Sequence, residues 1–467
     1  MSNAIRILFV KTYGYAPNQA FDVPLGVLYL SGYLKKNLGS KVDVSLIDLR
    51  IITDKHQALK KKLREVKPHI IGISTLAFEH QFLSDNVEFI KAHAPDALLI
   101  IGGPYATSNA ESILSENRID YAIIGEGEKS LLKLVEAFAK GGDIRQVKGI
   151  AYKAEHGTVL TEKEDYIENL DSIPTPDYAL IDFKDYWGSR LQFNGILAEK
   201  RHASVISSRA CPYRCVYCHS MFGKKLRKRS AEHFVAEIRY LYNRYQVREF
   251  HIIDDVFNLD RPRMHEICNK IIQSGMTIKI AFPNGLRGDI LEYEDILILK
   301  KAGAYMLTLA IESGAARIQT LIRKHLNIAK VMDNIAFAEK QGLITRGFFM
   351  LGFPGEEIAE MKLTVQTAIQ SKLSMASFFV VVPFENTELH DMAKKHLDVM
   401  DKDLTGSYQS STSFYEKATG YKVGRLQKMA YLRFYSPLRL IRVFLKIPRK
   451  SYQISKWFWF AFDLLRL

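Results

Sequence analysis

Short apolar runs alternate with helical patterns along the first part of the chain, residues 1–145. Strand-like runs such as "IRILFV" and "ALLIIGG" are separated by segments such as "HQALKKKLREV", in which apolar residues recur at helical spacing. Strands joined by helices of about ten residues pair in parallel, because a parallel pair needs a long crossover connection. The pattern therefore predicts an α/β domain built on a doubly wound parallel sheet.

Glycines stand where two of these predicted strands end, in "GGP" (102–104) and "GEGE" (125–128). Ligands of doubly wound sheets bind beyond the carboxyl ends of the strands. A residue without a Cβ atom lets a ligand approach the backbone closely, but it also makes tight strand-to-helix turns. The pattern alone leaves both interpretations open.

The alternation resumes in residues 201–400. The intervening residues 146–200 contain "NLDSIPTPDY", which has no helical period, and we expect them to form a linker. Six strand–helix units predict a partial (β/α)6 barrel, whose catalytic residues collect at the strand C-termini. Residues 401–467 are expected to be a helical C-terminal region. The predicted barrel-strand ends carry the cysteines at 211–218, Asp254, Asp255, Asn284, Glu312 and Gly352.

Three of the four cysteines lie within eight residues, in "CPYRCVYC", as Cys211, Cys215 and Cys218. A structural zinc site usually takes four protein ligands. The fourth cysteine, Cys268, has apolar neighbours at helical spacing in "HEICNKII", which predicts a buried core position. Three thiolates without a fourth suit a [4Fe–4S] cluster in which one iron stays open.

Charge is concentrated near the C-terminus. The 467 residues carry a formal net charge of +14, and residues 424–467 contain ten Lys or Arg and one acidic residue, Asp463. A globally basic nucleic-acid binder is therefore not expected. No apolar stretch is long enough to span a bilayer, and four cysteines in so long a chain argue against a disulfide framework. These features predict a cytoplasmic protein whose thiols stay reduced.

The C-terminal region itself combines cations with apolar and aromatic residues. "PLRLIRVFLKIPRK" places Arg439, Arg442 and Lys446 at helical spacing, and "SKWFWFAFDLLRL" follows. A basic helix with Trp and Phe suits peripheral contact with the inner face of an anionic membrane. The same aromatic residues would equally suit packing on the barrel or closure of its cavity. Both interpretations stay open, and a membrane role would fit a lipid-like substrate.

The cysteine spacing, with Tyr217 just before the last cysteine, resembles the radical S-adenosylmethionine (SAM) superfamily. The resemblance implies that the open iron chelates the amino and carboxyl groups of SAM. It also implies that the reduced cluster cleaves SAM to methionine and a 5′-deoxyadenosyl radical. The electron must come from a low-potential donor of the flavodoxin or ferredoxin type.

Later segments resemble the family's SAM-binding motifs in the same order along the barrel, in "IIDDVFN", "FPNGLRGD", "LAIESGAARIQTLIRK" and "FFMLGFPGEE". Each motif taken alone also fits a structural role, such as a helix cap or a surface ion pair. Their order after the cysteine loop favours SAM binding. The implied contacts are Asp254 and Asp255 to the amino group, Asn284 and Arg287 to ribose or carboxylate, Glu312 to ribose hydroxyls, and the Gly352 segment to adenine.

The first domain resembles the Rossmann-like, cobalamin-binding domain that precedes many radical SAM barrels, through "PLGVLYLSGYLKK", "IIGISTLAFEH" and "DYAIIGEGEKSLLKLVEAF". The typical Asp-x-His-x-x-Gly motif, whose His ligates cobalt, is absent. A bound corrinoid would then have its lower face free or occupied by another group. The residues implied near its nucleotide tail are Ser74, Thr75, Gly102, Gly103, Gly125, Glu126 and Gly127.

The resemblance implies two reactions. In the first, cobalamin carries a methyl group from one SAM, and a second SAM yields the radical that activates an unactivated carbon or a phosphinate phosphorus of a small or lipid-like metabolite. In the second, radical chemistry oxidises or cyclises the substrate, as in the anaerobic magnesium-protoporphyrin monomethyl ester cyclase. We favour methyl transfer.

Two other classes are less well supported. A tRNA methylthiotransferase would carry further cysteines before Cys211, and there are none. A non-enzymatic corrinoid and iron–sulfur sensor would need no SAM contacts, and the set from Asp254 to Glu312 argues against it.

Overall fold

The computed structural model describes residues 4–14, 22–116, 118–187, 196–218, 221–396, 414–450 and 453. The chain divides into two compact units, Met1–Leu191 and Gln192–Leu467. Both units are built on sheets whose strands are mainly parallel and are joined by helices, which confirms the predicted α/β class.

The first unit is a seven-stranded sheet in the order β2-β1-β3-β4-β5-β6-β7. The first five strands pair in parallel, and β6 and β7 add an antiparallel edge. Apolar clusters pack on the sheet. The strands are β1 Ile5–Lys11, β2 Val42–Asp48, β3 Ile70–Ser74, β4 Leu98–Gly102, β5 Tyr121–Ile123, β6 Ile150–Ala154 and β7 Gly157–Leu160. The helices are α1 Leu25–Leu38, α2 Lys55–Val66, α3 Gln81–His93, α4 Pro104–Glu116, α5 Glu128–Lys140 and α6 Lys184–Trp187.

The segment expected to be a linker, residues 146–200, belongs largely to this first unit. It supplies the β6–β7 hairpin, and its buried Tyr186 donates a hydrogen bond to Asp48 Oδ2 at 3.0 Å. The sequence shows no alternation of apolar and polar residues that would predict this hairpin. β7 is mostly exposed, and only the first two residues of β6, Ile150 and Ala151, are buried. The division between the units accordingly falls later than residue 145.

The second unit is an open parallel sheet of six strands in the order β15-β14-β13-β12-β11-β8. The strands are β8 His202–Val205, β9 Ser208–Arg209, β10 Arg227–Lys228, β11 Glu249–Ile252, β12 Lys279–Ala281, β13 Ala304–Glu312, β14 Ile344–Leu351 and β15 Met375–Val380, of which β9 and β10 form a separate short pair. The helices are α7 Ala231–Arg244, α8 Arg261–Gln273, α9 Tyr293–Lys301, α10 Ala316–Leu321, α11 Ile328–Lys340, α12 Ile358–Gln370, α13 Glu388–His396, α14 Phe414–Thr419, α15 Val423–Phe434 and α16 Pro437–Lys446.

Helix α15 covers the open edge of this sheet with side-chain hydrogen bonds. The hydroxyl of Tyr435 accepts from Ala376 N at 3.2 Å and donates to Ala376 O at 3.0 Å. The Tyr431 hydroxyl pairs in the same way with Phe378, and Gln427 Nε2 donates to Phe378 O at 2.7 Å. Gln427 and Tyr431 lie one turn apart on the helix and Tyr435 directly follows it, so these side chains together pair with backbone groups that an edge strand leaves unpaired.

Helix α16 points its cations at the protein. Arg439 donates to the carbonyls of Ile369 and Ser371, Arg442 donates to those of Lys372 and Leu373, and Lys446 pairs with Glu339. A basic helix face that contacts a membrane would point its cations away from the protein, so the observed orientation is the opposite of the expected one. The aromatic segment 455–467 lies outside the described residues. Within the described part of the chain, no helix has the length and hydropathy needed to cross a bilayer.

Candidate active site

The cysteine loop begins at the end of β9, at the carboxyl side of the first barrel strand. Ala210 takes the left-handed conformation at φ +73°, and the loop then turns so that Cys218 N donates to Cys215 O at 3.1 Å. Cys211 and Cys215 are half-buried and Cys218 is exposed. Cys268 is buried in α8, as its pattern predicts. The three loop thiols are therefore the accessible ones.

Segments far away in sequence hold this loop. Val216 N donates to Ile322 O at 3.3 Å, and Val216 O accepts from Leu389 N at 2.9 Å. The Arg287 guanidinium lies 3.9 Å from the centre of the Tyr213 ring, a cation–π contact. Contacts from three separate segments therefore hold the loop in place.

The surroundings of two loop thiols favour their protonated form. Burial raises the pKa of Cys211, and it raises the pKa of Cys218 to about 11 although the residue is accessible, because protein atoms and the Asp255 carboxylate surround its sulfur. Thiolates are the ligating form, so iron must displace these protons. No described group of His, Cys, Asp and Glu already converges on one metal ion. A cubane binds each thiolate through a different iron, so its cysteines need not converge on one point.

The adjacent aspartates at the end of β11 have different surroundings. Asp254 is buried and accepts from Ser207 N at 2.7 Å and from the hydroxyls of Ser207 and Ser208 at 2.6 and 2.5 Å. Its carboxylate thus holds the segment before the cysteine loop. Asp255 is exposed, accepts a hydrogen bond from Ala210 N, and lies close enough to Cys211 and Cys218 to raise their pKa values.

Asn284 and Arg287, predicted to contact SAM, both make contacts within the protein. Asn284 Nδ2 donates to Ile253 O at 2.7 Å, which ties the ends of β11 and β12 together. Arg287 stacks on Tyr213, donates to Lys324 O at 2.9 Å, and forms an ion pair with Asp289 at 3.0 Å. Arg287 therefore braces the cysteine loop.

Glu312 is brought to the cysteine loop at the end of β13. It is buried, takes the left-handed conformation at φ +66°, and its Oε1 accepts from Lys324 Nζ at 2.8 Å and from the Tyr217 hydroxyl at 3.2 Å. Lys324 also lies 3.2 Å from the Tyr217 hydroxyl. No local sequence signal marks Lys324, because its partners lie 12 and 107 residues away along the chain.

Gly352 follows β14 in the left-handed conformation, at φ +90°. Its N–H and that of Phe353 donate to Glu356 Oε2 at 2.7 and 2.9 Å. Burial raises the pKa of Glu356 to about 7. The Phe353 ring lies 6.1 Å from that of Tyr217, so the segment expected at adenine sits beside the cysteine loop. Glu356, another residue that the pattern did not select, shapes this turn.

In the first unit, the ends of β3 and β4 meet closely. Gly103 has φ +100°, and a Cβ atom there would lie 2.9 Å from Thr75 O, so only glycine fits. The Thr75 hydroxyl is buried and donates to Thr12 Oγ1, while the Ser74 carbonyl accepts from Thr12 and Lys11. These polar atoms of Ser74 and Thr75 therefore stabilise the strand ends.

A buried ion pair lies at the end of β1, where the sequence lacks a cobalt-ligating His. Lys11 Nζ lies 2.5 Å from Glu79 Oε2, which also accepts from Thr12 Oγ1 and Leu76 N. Burial lowers the pKa of Lys11 to about 8. This pair closes the end of the sheet around β1 and β3, and its partners are 68 residues apart in sequence.

The turn after β5 offers backbone without side chains. Gly125 has φ +87° with open space where a Cβ would stand, and Gly127 has φ +91°. Glu126 Oε2 accepts from Ile167 N at 3.0 Å. Gly102 also leaves its neighbourhood open, with Ile123 at 4.0 Å as the nearest contact of a built Cβ. Gly102 and Gly125 thus leave room beside the backbone at these two strand ends, and a role in binding a nucleotide tail stays a prediction.

Comparisons with known proteins agree with both units. A model of the Radical SAM superfamily matches residues 205–368, and a model of the B12 binding domain matches residues 21–135. An uncharacterized methyltransferase of Pyrococcus horikoshii is 28% identical over 421 residues, covering 88% of this chain and 87% of that protein. The cytidylyl-2-hydroxyethylphosphonate methyltransferase of Streptomyces wedmorensis is 29% identical over 363 residues, covering 70% and 67%.

Another relative has a different activity in its name. The anaerobic magnesium-protoporphyrin IX monomethyl ester cyclase of Rubrivivax gelatinosus is 28% identical over 385 residues, covering 81% of this chain and 67% of that one. Among solved structures, the radical SAM methyltransferase TsrM of Kitasatospora setae, with cobalamin and a [4Fe–4S] cluster bound, superposes with a TM-score of 0.71. It covers 89% of this chain and 81% of its own at 16% identity, which shows a shared fold.

The two matched domains lie in the order and at the positions that the motifs predict, and the three loop thiols lie inside the second. The resemblance is thereby confirmed. The chain is a radical SAM enzyme that carries a B12-binding domain, and the cofactors of this combination are a [4Fe–4S] cluster, SAM and cobalamin.

Proposed function

We propose that this enzyme is a cobalamin-dependent methyltransferase that methylates an unactivated carbon, or a phosphinate phosphorus, of a small or lipid-like metabolite. The observation that carries the proposal is the loop of three accessible thiols at the carboxyl end of the barrel sheet, in a chain that also has a B12-binding domain. The names of two relatives, which are methyltransferases, support the choice of reaction.

The residues around the loop suit SAM binding. Once bound, the cluster and SAM supply a 5′-deoxyadenosyl radical and cobalamin supplies the methyl group. Asp255 places an exposed carboxylate beside Cys211 and Cys218, where it can accept hydrogen bonds from an ammonium group. Glu312 and Lys324 place one acceptor and one cation next to Tyr217, the residue before Cys218. Asp254 and Arg287 act indirectly, because they hold the loop in position.

A second reaction, oxidation or cyclisation, has one observation in its favour. The relative of Rubrivivax gelatinosus covers 81% of this chain, between the 88% and 70% of the two methyltransferases, and its name is that of a cyclase. Both reactions begin with the same radical, so the loop and its neighbours do not distinguish them. The products do.

The first step is tested with anaerobically purified protein reduced by dithionite. We expect release of 5′-deoxyadenosine from SAM, and we expect Cys215→Ala to abolish it because the cluster loses a ligand. Cys268→Ala is the matched control, since Cys268 is buried in α8, and it should keep the activity. A Cys215→Ala protein that retains both cluster and turnover would refute the assignment.

The reaction type is tested by mass spectrometry of extracts from cells with and without the enzyme. A product heavier by one methylene group indicates methylation, whereas loss of two hydrogens or gain of oxygen indicates the cyclase-type reaction.

In this proposal the enzyme receives its electron from a ferredoxin or flavodoxin and works in the reducing cytoplasm.

A further inference from the structure

Helix α16 presents an apolar row to solvent. Leu438, Ile441 and Leu445 are 81%, 57% and 67% exposed. They recur at i, i+3 and i+7, so they share one face of the helix. Soluble proteins seldom expose such contiguous large side chains without an interaction partner.

The orientation of α16 is fixed by contacts on its other side. Arg439 and Arg442 donate to four backbone carbonyls, and Lys446 pairs with Glu339. Val443 is fully buried against the barrel strands together with Ile447. The helix therefore cannot roll to hide its apolar row without breaking these part-buried and exposed hydrogen bonds and the ion pair.

The segment that carries the row is rich in cations, two of which pair with acidic residues of other segments, Lys446 with Glu339 and Arg449 with Glu199. The sequence contains no Asp or Glu from residue 417 to residue 462. Lys428, Arg433 and Lys450 are exposed around the two helices. Two further apolar side chains of α15 are exposed with them, Met429 at 52% and Leu432 at 60%. A partner that fits this surface is both apolar and anionic.

We propose that this surface, which we call the α16 face (Leu438, Ile441 and Leu445 with the flanking cations), docks the enzyme on an anionic phospholipid bilayer. The apolar row would enter the boundary between headgroups and acyl chains, and the cations would meet the headgroups. A ten-residue helix rises about 15 Å, so it lies on the surface and does not span the bilayer. A second copy of the chain fits less well, because two cationic surfaces would repel each other.

Vesicle flotation of the anaerobically prepared holoenzyme tests the proposal. The probes are vesicles of phosphatidylcholine alone and vesicles containing phosphatidylglycerol as well. We expect binding to the anionic vesicles and little to the neutral ones. The triple variant Leu438→Glu, Ile441→Glu and Leu445→Glu should lose binding about tenfold or more, because it replaces the inserted apolar groups with repelled charges.

The matched control is Leu297→Glu with Leu363→Glu, at side chains that are 45% and 44% exposed on α9 and α12. It should bind like the natural chain. Both variants should still release 5′-deoxyadenosine, which shows that they are folded and keeps this test separate from that of the proposed function.

Four results would overturn the proposal. The natural chain could fail to float with anionic vesicles, which would mean that another part of the protein covers the row. It could bind neutral vesicles equally well. The triple variant could float as well as the natural chain. Finally, sedimentation without lipid could show a dimer that the triple variant abolishes, which would make a second copy the occupant.

Discussion

At the scale of single residues, Glu356 is the buried carboxyl that shapes the turn after β14. One oxygen accepts two backbone hydrogen bonds, and the other has no hydrogen-bond partner in the part of the chain that the structure describes. Burial raises the pKa of Glu356 to about 7, so the folded protein binds a proton there at mildly acidic pH. The unfolded chain, whose glutamate has an ordinary pKa near 4.3, does not.

The stability of the second unit should therefore depend on pH. Because the pKa is raised in the folded state, the free energy of unfolding falls as pH rises from about 4.5 to 7. Glu356→Gln keeps an acceptor for the two N–H groups without a charge. We expect urea unfolding of the cluster-free proteins to give equal stability near pH 5 and a variant more stable by about 2 kcal/mol near pH 8.

The control for this titration is Glu111→Gln, at an exposed residue of α4, which should leave the pH profile unchanged. A constant difference between natural chain and Glu356→Gln across the range would contradict the prediction, because it would mean that Glu356 does not titrate there.

Lys324 also belongs to the residue scale. Its ammonium lies between Glu312 and the Tyr217 hydroxyl and is nearly buried, with a side chain 10% exposed. Arg323 and His325 on either side of it take left-handed backbone conformations, so the turn after α10 is strained in order to bring Lys324 to this place. Strain of this kind is common at binding sites, in agreement with its position at the cysteine loop.

At the scale of elements, α15 covers the sheet edge at which a seventh strand would otherwise pair. An open sheet of six parallel strands has one edge at β15, and exposed edges promote pairing with other chains. The side chains of Gln427, Tyr431 and Tyr435 fill the hydrogen-bonding positions along that edge. The barrel can therefore stay open without leaving these backbone groups unsatisfied.

We expect Tyr431→Phe combined with Tyr435→Phe to destabilise the protein by about 3 kcal/mol, because the N–H groups of Phe378 and Ala376 lose their acceptors while the rings are kept. Denaturant unfolding measures the loss. Tyr293→Phe, at an exposed tyrosine that stacks on Phe337, should cost almost nothing. Unchanged stability in the double variant would mean that water replaces the hydroxyls.

At the scale of the whole molecule, the two matched domains assign the two metal cofactors to separate parts of the chain. The B12 domain match ends at residue 135, and the cysteine loop begins at residue 211. The first unit has its own sheet and apolar clusters, and the second has another sheet with its own edge cover.

Loss of one cofactor should thus leave the other bound. Replacing Cys211, Cys215 and Cys218 by Ala should remove iron and sulfide while the cobalamin content stays within about twofold of the natural chain. Gly103→Val should lower the cobalamin content while iron and sulfide stay bound, because the valine side chain would collide with Thr75 O. Metal analysis and the visible spectrum of cobalamin measure both. If either variant lost both cofactors, the domains would not bind them independently.

The sequence by itself determined the α/β class, the order of the two domains, and the loop of Cys211, Cys215 and Cys218. These features are local, because strand and helix periods span a few residues and three ligands with this spacing share one loop. It also separated Cys268 from the others, since the pattern around a residue reports its burial. The resemblance of the motifs then supplied the family.

Only the tertiary structure decided how the neighbouring side chains divide their roles. It turned Asp254 into the protein and left Asp255 beside the thiols, and it brought Lys324 to Glu312 and Tyr217. It also added β6 and β7 to the first sheet and turned the cations of α16 inward. The reason is physical: the direction of a side chain at a strand end, and the partner that meets it, depend on packing between segments that lie far apart along the chain.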